Sequence, residues 1–344
     1  MTTSSCLSRW LPAVLLCLII GQAGAETKLK MVLNWTYQGP QGIFFLAQER
    51  GYFKAEGIDL QIDQGKGSGA AVLDVARGTY DVGFGDINTV IQIAAPRPSE
   101  APLGVYMIYH SAPFAVASLK SRNIRTPKDL IGRTVAAPAG SATLKLMQLA
   151  LENQGVDPAK VSIVNANSNL LTQMMSRGQV DSIAGFVSTI AMGAQAQGID
   201  PDKELNFVMF SEYGVRIYSN ALVVSRDLAR KNPNAVRGLV RAVNRGIADT
   251  LRDPDAAIAA LIKREPLLKR EIERELLVRT IRMEMSHPES KESGFGNIRE
   301  DRMKLAIDQV VKAFELSRTP AIGEIFSSEF LPPIEERRFN LNVR

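Results

Sequence analysis

Short runs of β-forming residues alternate with amphipathic stretches twice over in this chain, and that alternation restricts its fold more than any other feature. From Glu26 onward the order is 29–33 then 42–53, 58–62 then 69–76, and 81–84 then 87–94. It recurs as 134–137 then 141–154, 161–164 then 170–176, and 182–184 then 189–197. A strand that is repeatedly followed by a helix packs into a sheet covered by helices, so two such series predict two α/β lobes. Between the series lie the extended apolar runs 103–110 and 113–119, and after the second come 206–210 and 217–225, which read as paired crossover strands. The predicted division is a first lobe over 26–110, a second over 111–217, and a return to the first lobe with C-terminal helices over 218–344.

Beyond residue 225 the pattern turns helical. Val236, Leu239, Val240, Val243, Ile247 and Leu251 mark one face at helical spacing, with Asn232 as N-cap and Pro233 at the first helical position. Further helices are expected over 256–263, 267–283 and 302–316, with a loop over 286–297. No repeat of fixed period is visible.

The 344 residues are 45% hydrophobic and 22% charged, enough apolar material for a sizeable core. The 41 basic and 36 acidic residues are interspersed, so the net charge of +5 builds no basic face for nucleic acid. Residues 1–25 read as a signal peptide: Arg9, an apolar run over 11–20, and Ala23-Gly24-Ala25 before Glu26, with the cut after Ala25. The run falls short of the about 20 apolar residues that span a bilayer. An uncleaved anchor is the competing reading. Leu16 before Cys17 argues against a lipid anchor. Both cysteines, Cys6 and Cys17, lie in this segment, so an exported chain has neither a disulfide nor a cysteine metal site.

Four corners carry the candidate site. Gly65-Lys66-Gly67-Ser68-Gly69-Ala70 follows a strand and opens a helix; with Asp86 it satisfies a loose dinucleotide pattern. The alternatives are helix-start N–H groups facing a ligand, with Ser68 among them, or a tight turn. Pro138 to Thr143 repeats the arrangement in the second lobe, where Gly140, Ser141 and Thr143 either cap a helix or meet a ligand. Gly83 to Thr89 makes a third corner, with Asp86 and Asn88 capping or pointing into a cleft. At the carboxyl end of the first strand, where open α/β sheets place ligands, stand Asn34, Trp35, Gln38 and Gln41. Trp35 stacks on a flat ring or lids the core. Phe186 and the Glu212-Tyr213-Gly214 turn complete the set. The two histidines, His110 and His287, support neither a metal site nor a Ser-His-Asp triad, no G-x-S-x-G elbow is present, and the charged run 263–282 reads as a solvated face.

Leu33-Asn34-Trp35-Thr36, Gly51 to Gly57, Gly83-Phe84-Gly85-Asp86 and Glu212-Tyr213-Gly214-Val215 resemble the family of thiamine-pyrimidine-precursor binding proteins and synthases, sister to sulfonate and nitrate binders. The resemblance runs from about Lys28 to Phe330-Leu331-Pro332-Pro333. It implies an α/β type II periplasmic-binding-protein fold with C-terminal helices on the first lobe. It also implies a small-molecule ligand in the cleft, delivery to ABC permease and ATPase subunits, a periplasmic location and a monomer. Asn34 and Trp35 would contact the ring, with Glu212 and Tyr213 on its other side. The synthase branch uses a first-loop histidine with pyridoxal phosphate and iron; Gln38 and Gln41 occupy that loop here, so a binder without cofactor or metal is expected rather than an enzyme. Arg216-Ile217 stands where pyrimidine binders tend to have Pro-Asp, and Arg216 would meet an acidic ligand. A thiamine-pyrimidine precursor is the first expectation; a sulfonate, taurine or an aromatic carboxylate is the second.

Overall fold

The computed structural model describes residues 26–138 and 141–343; the signal-peptide reading of 1–25 and the assignment of Gly140 lie outside the described residues. The strands are β1 (Thr27–Val32), β2 (Ile58–Asp63), β3 (Val82–Asp86), β4 (Leu103–Met107), β5 (Phe114–Leu119), β6 (Thr134–Ala137), β7 (Ser162–Asn165), β8 (Ser182–Phe186), β9 (Leu205–Met209) and β10 (Asn220–Val224). They form two five-stranded sheets, β2-β1-β3-β10-β4 and β7-β6-β8-β5-β9. Within each, four strands point one way, three of them adjacent and paired in parallel as strand-helix-strand connections require, and the inserted strand, β10 or β5, is antiparallel to both its neighbours.

The main helices of the two series are α1 (Gly42–Glu49), α2 (Ser68–Ala76), α3 (Ile87–Ala94), α4 (Ala142–Asn153), α5 (Leu171–Ser176) and α6 (Val187–Gln195). Four more follow the second crossover: α7 (Pro233–Arg252), α8 (Pro254–Arg264), α9 (Arg270–Thr280) and α10 (Glu300–Ala313). Among the described residues no helix is long and apolar enough to cross a membrane. The extended runs expected to be crossover strands each divide. Residues 103–107 join 220–224 in the first sheet and 114–119 join 205–209 in the second, leaving 108–113 and 210–219 to cross. The first crossing segment bonds to the second, Ser219 N to Tyr109 O at 3.1 Å, and to the start of β10, Tyr109 N to Asn220 O at 2.8 Å.

Local chemistry explains the helices. Asn232 accepts from Ala235 N at 3.1 Å, capping α7 as its sequence predicts. Val236, Leu239, Val240, Val243 and Ile247 are buried against α1 and the first sheet, each burial contributing about 1.5–3 kcal/mol. The helix expected over 42–53 breaks because Gly51 adopts the left-handed conformation (φ 70°) and ends α1. The one expected over 267–283 ends as α9 at Thr280 and continues as a π-helical turn, Ile281–Met285, while the expected loop contains a short helix, Glu289–Ser293.

Two helices of the first lobe reach the second. α9 packs on α6, and α10 on α4 as well as on α3. Across the lobes Arg279 of α9 makes a two-pronged bond to Asp202, at 3.0 and 3.1 Å, and Gln195 of α6 donates to Glu275 at 2.6 Å.

Candidate ligand-binding cleft

Between the sheets lies a cavity of about 540 Å³, a size suited to a small molecule. Its first-lobe wall starts where β1 ends. A Cβ at Gly65 would sit 1.7 Å from the Leu33 carbonyl oxygen, so glycine is required there, and Gly65 N donates to Trp35 O at 3.0 Å, holding the loop. Gly39 is equally constrained: its N–H donates to Glu273 Oε2 at 2.7 Å, and its α-carbon packs on the α9 backbone. Trp35, 39% exposed, lines the cavity and so is not a lid on the core. Gln38 also lines it, its amide 3.8 Å from Met192 Sδ across the lobes. Gln41, which also lines the cavity, donates from Nε2 to Asn34 Oδ1 at 2.7 Å, and its Oε1 is buried without a partner.

Both helix-start corners face this space. Ser68 opens α2. Ser141 is the N-cap of α4 by position, yet its hydroxyl makes no capping bond and is buried without a partner at the cavity wall, with Thr143 beside it. Backbone N–H groups and the positive dipole end at such corners favour ligand acceptors. Phe186 closes the second-lobe wall, edge-on to Phe114 at 4.8 Å.

A family model described as NMT1/THI5 like matches residues 41–257. The chain belongs to the NMT1/THI5-like family. Over 263 residues it is 21% identical to the 4-amino-5-hydroxymethyl-2-methylpyrimidine phosphate synthase of Legionella pneumophila, covering 76% of this chain and 81% of that protein. It is 26% identical over 216 residues to the riboflavin-binding protein RibY of Chloroflexus aurantiacus, covering 62% and 60%. Among solved structures it is similar to the periplasmic aliphatic sulphonate binding protein SsuA of Escherichia coli, with TM-score 0.67, 15% identity and coverage of 87% and 91%. The fold of this NMT1/THI5-like protein is therefore that of the periplasmic binding proteins.

Five of the residues singled out in the sequence do not reach the cavity. Asp86 caps α3, accepting from Asn88 N at 3.2 Å and Asn88 Nδ2 at 2.6 Å; Asn88 also donates to Tyr218 O at 2.7 Å. The pair thus ties the third corner to the second crossover, and burial pushes the Asp86 carboxyl up to about 6. Glu212 and Tyr213 lie on a short 3-10 helix, Phe210–Tyr213, that Gly214 (φ 86°) ends. Neither residue lines the cavity. Tyr213 donates to Arg125 O at 3.3 Å and its carbonyl accepts from Asn153 at 3.1 Å, while Glu212 is exposed. Arg216, past that turn, is exposed and lines a separate cavity behind the crossovers with His287, Glu289 and Arg302.

The NMT1/THI5-like cleft has a polar group that sequence reasoning missed. Glu284 sits on the π-helical turn, 2% exposed, with Oε1 unpartnered at the cavity wall. Its backbone carbonyl accepts from Ser111 N of the first crossover at 3.0 Å, and its carboxyl is hydrogen-bonded to Ser188 of α6. Burial pushes that carboxyl up to about 8, the Ser188 bond opposing. Thr280, one turn earlier, also presents an orphaned hydroxyl. The signal was the run Glu273, Leu276, Thr280, Glu284, whose spacing of three, four and four residues puts all of them on one helical face. Among the described lining residues there is no lysine, arginine or histidine. Among the described residues no group of three or more His, Cys, Asp or Glu is placed to hold a metal.

Proposed function

We propose that this chain is the solute-capturing component of an ABC importer: exported to the periplasm after cleavage behind Ala25, it closes its lobes on a small planar nutrient and presents it to permease and ATPase subunits. It acts as a monomer and makes or breaks no bond. The observation that carries this reading is the interlobe cavity itself, with the Trp35 ring on one wall and the Ser141, Gln41, Thr280 and Glu284 polar atoms left without partners inside it. Buried polar groups without partners are rare, and a ligand satisfies them.

A thiamine-pyrimidine precursor is the favoured solute. Two relatives are named for a pyrimidine and for riboflavin, both flat nitrogen rings, and Trp35 supplies a stacking face. The sulfonate or carboxylate alternative rests on the SsuA-like fold and on the helix starts at Ser68 and Ser141; Arg216, which first suggested it, lies outside the cavity. The enzyme reading rests on synthase relatives at about one-fifth identity, and the cavity's described lining has no histidine for it.

A thermal-shift screen against pyrimidines, thiamine, riboflavin, sulfonates, nitrate and aromatic carboxylates tests the proposal. A ligand at 100 times its Kd stabilises the fold by about 2.7 kcal/mol, a shift of a few degrees. A pyrimidine shift supports the favoured solute, a sulfonate shift the alternative, and iron-dependent turnover with pyridoxal phosphate would falsify the binder.

A further inference from the structure

We propose that Glu284 is the residue that sets which ligands the cleft admits: with Gln41 Oε1 it accepts from N–H groups of a neutral or cationic nitrogen compound, and it excludes a ligand that brings an anionic group to that end. This deepens the solute-binding reading and rests on it.

The geometry carries the argument. Glu284 Oε1 and Gln41 Oε1 are acceptors, both in residues only 2% exposed, both at the wall of one cavity and both without a partner. An incoming N–H satisfies both atoms, whereas an incoming acceptor leaves the Gln41 oxygen without a partner. No cation among the described lining residues offsets a ligand's negative charge. The groups that surround the carboxyl are Ser188 of α6, the Ser111 N–H on its backbone carbonyl, Thr280 on its own helix, and Tyr109 from the first crossover, whose phenol burial keeps protonated. None is a base that could take the carboxyl's proton. A cationic ligand therefore meets a protonated Glu284, and pairing with it sends that proton to solvent.

Other parts of the cavity wall have the opposite polarity. The starts of α2 and α4, at Ser68 and Ser141, offer donors. The cleft thus suits a ligand that carries both acceptors and N–H groups.

The test is titration calorimetry on the full chain with four probes: benzamidine, 4-aminopyrimidine, benzoate and methanesulfonate. We expect benzamidine and 4-aminopyrimidine to bind and the two anions not to. Run at pH 7 in phosphate and in Tris, benzamidine binding should release a proton, read from the difference in heats. Glu284→Gln should weaken benzamidine at least tenfold and abolish the release. The proton count on the unmodified protein needs no variant, so it stands even if the variant folds poorly. Anions that bind as tightly as benzamidine, or benzamidine binding without proton release, overturn the role of Glu284 and leave solute capture intact. Failure of all four probes overturns it too, and the wider thermal-shift screen decides solute capture separately.

Discussion

The guanidinium of Arg302 lies 4.1 Å from the centre of the Tyr218 ring, and both residues bond to the same carboxylate, Glu289. Arg302 also donates to the carbonyls of His110 and Ile217, one on each crossover. Burial alone would raise the Glu289 carboxyl, but the Tyr218 hydroxyl and the Arg302 guanidinium outweigh it and hold the group below its ordinary value. One side chain of α10 therefore fastens both crossing segments.

Arg302→Met should accordingly unfold the protein early. It leaves Glu289 buried without its cation, a loss of about 3–5 kcal/mol. Urea denaturation measures it; a loss under 1 kcal/mol would mean the crossing segments do not depend on this cluster.

Trp35→Ala should abolish binding of a pyrimidine ligand while the melting temperature of the empty protein stays within a few degrees, because the ring is 39% exposed and faces the cavity. A large loss of stability in the empty protein would make the ring part of the core instead.

Glu212→Gln and Arg216→Ala should leave ligand affinity within about twofold, since neither residue lines the cavity. Calorimetry on either variant decides it.

The pH dependence of stability should carry the signature of Glu284. An unfolded glutamate titrates near 4.3 and this one at about 8. Between those values the folded chain holds the extra proton, so the contribution is full below the lower value and falls as pH rises through the upper, by up to roughly 5 kcal/mol. Asp86, raised to about 6, works in the same sense at lower pH. His110, which burial lowers to about 4, works against both, losing stability as pH falls below 6.5. The difference between the wild type and Glu284→Gln, measured by denaturation at pH 5 and pH 9, isolates Glu284: the variant should gain relative stability at pH 9.

Arg279→Ala removes the bond to Asp202 across the lobes. Asp202 is exposed, so stability should change by no more than about 1 kcal/mol. Closure should suffer instead: a larger radius of gyration by X-ray scattering and faster ligand release. An unchanged radius would make the pair incidental.

Much of the architecture was legible because it is encoded locally. Alternation with the periods of strand and helix located the two series, and the Asn232-Pro233 cap marked the start of α7. The corners at Ser68 and Ser141 stood out because glycines precede helices there. Direction was harder to read. Whether the 210–216 turn aims Glu212 and Tyr213 inward depends on Gly214 and on packing against α4, which no short window of sequence contains. Glu284 was hidden for a different reason: a carboxyl beside a run of mixed charges reads as solvated, and only the π-helical turn and the opposing lobe bury it.

The place of β10 in the first sheet sets the order in which the chain matures. β10 lies between β3 and β4, so everything up to residue 107 can emerge without completing that sheet, and β4 has no neighbour in it until residues 220–224 arrive. The second sheet draws all its strands from 114–209 and needs nothing made later. Synthesis from the N-terminus thus leaves the first lobe open until nearly two thirds of the polypeptide exists. In chain order, then, the strands of the second sheet are all present before those of the first.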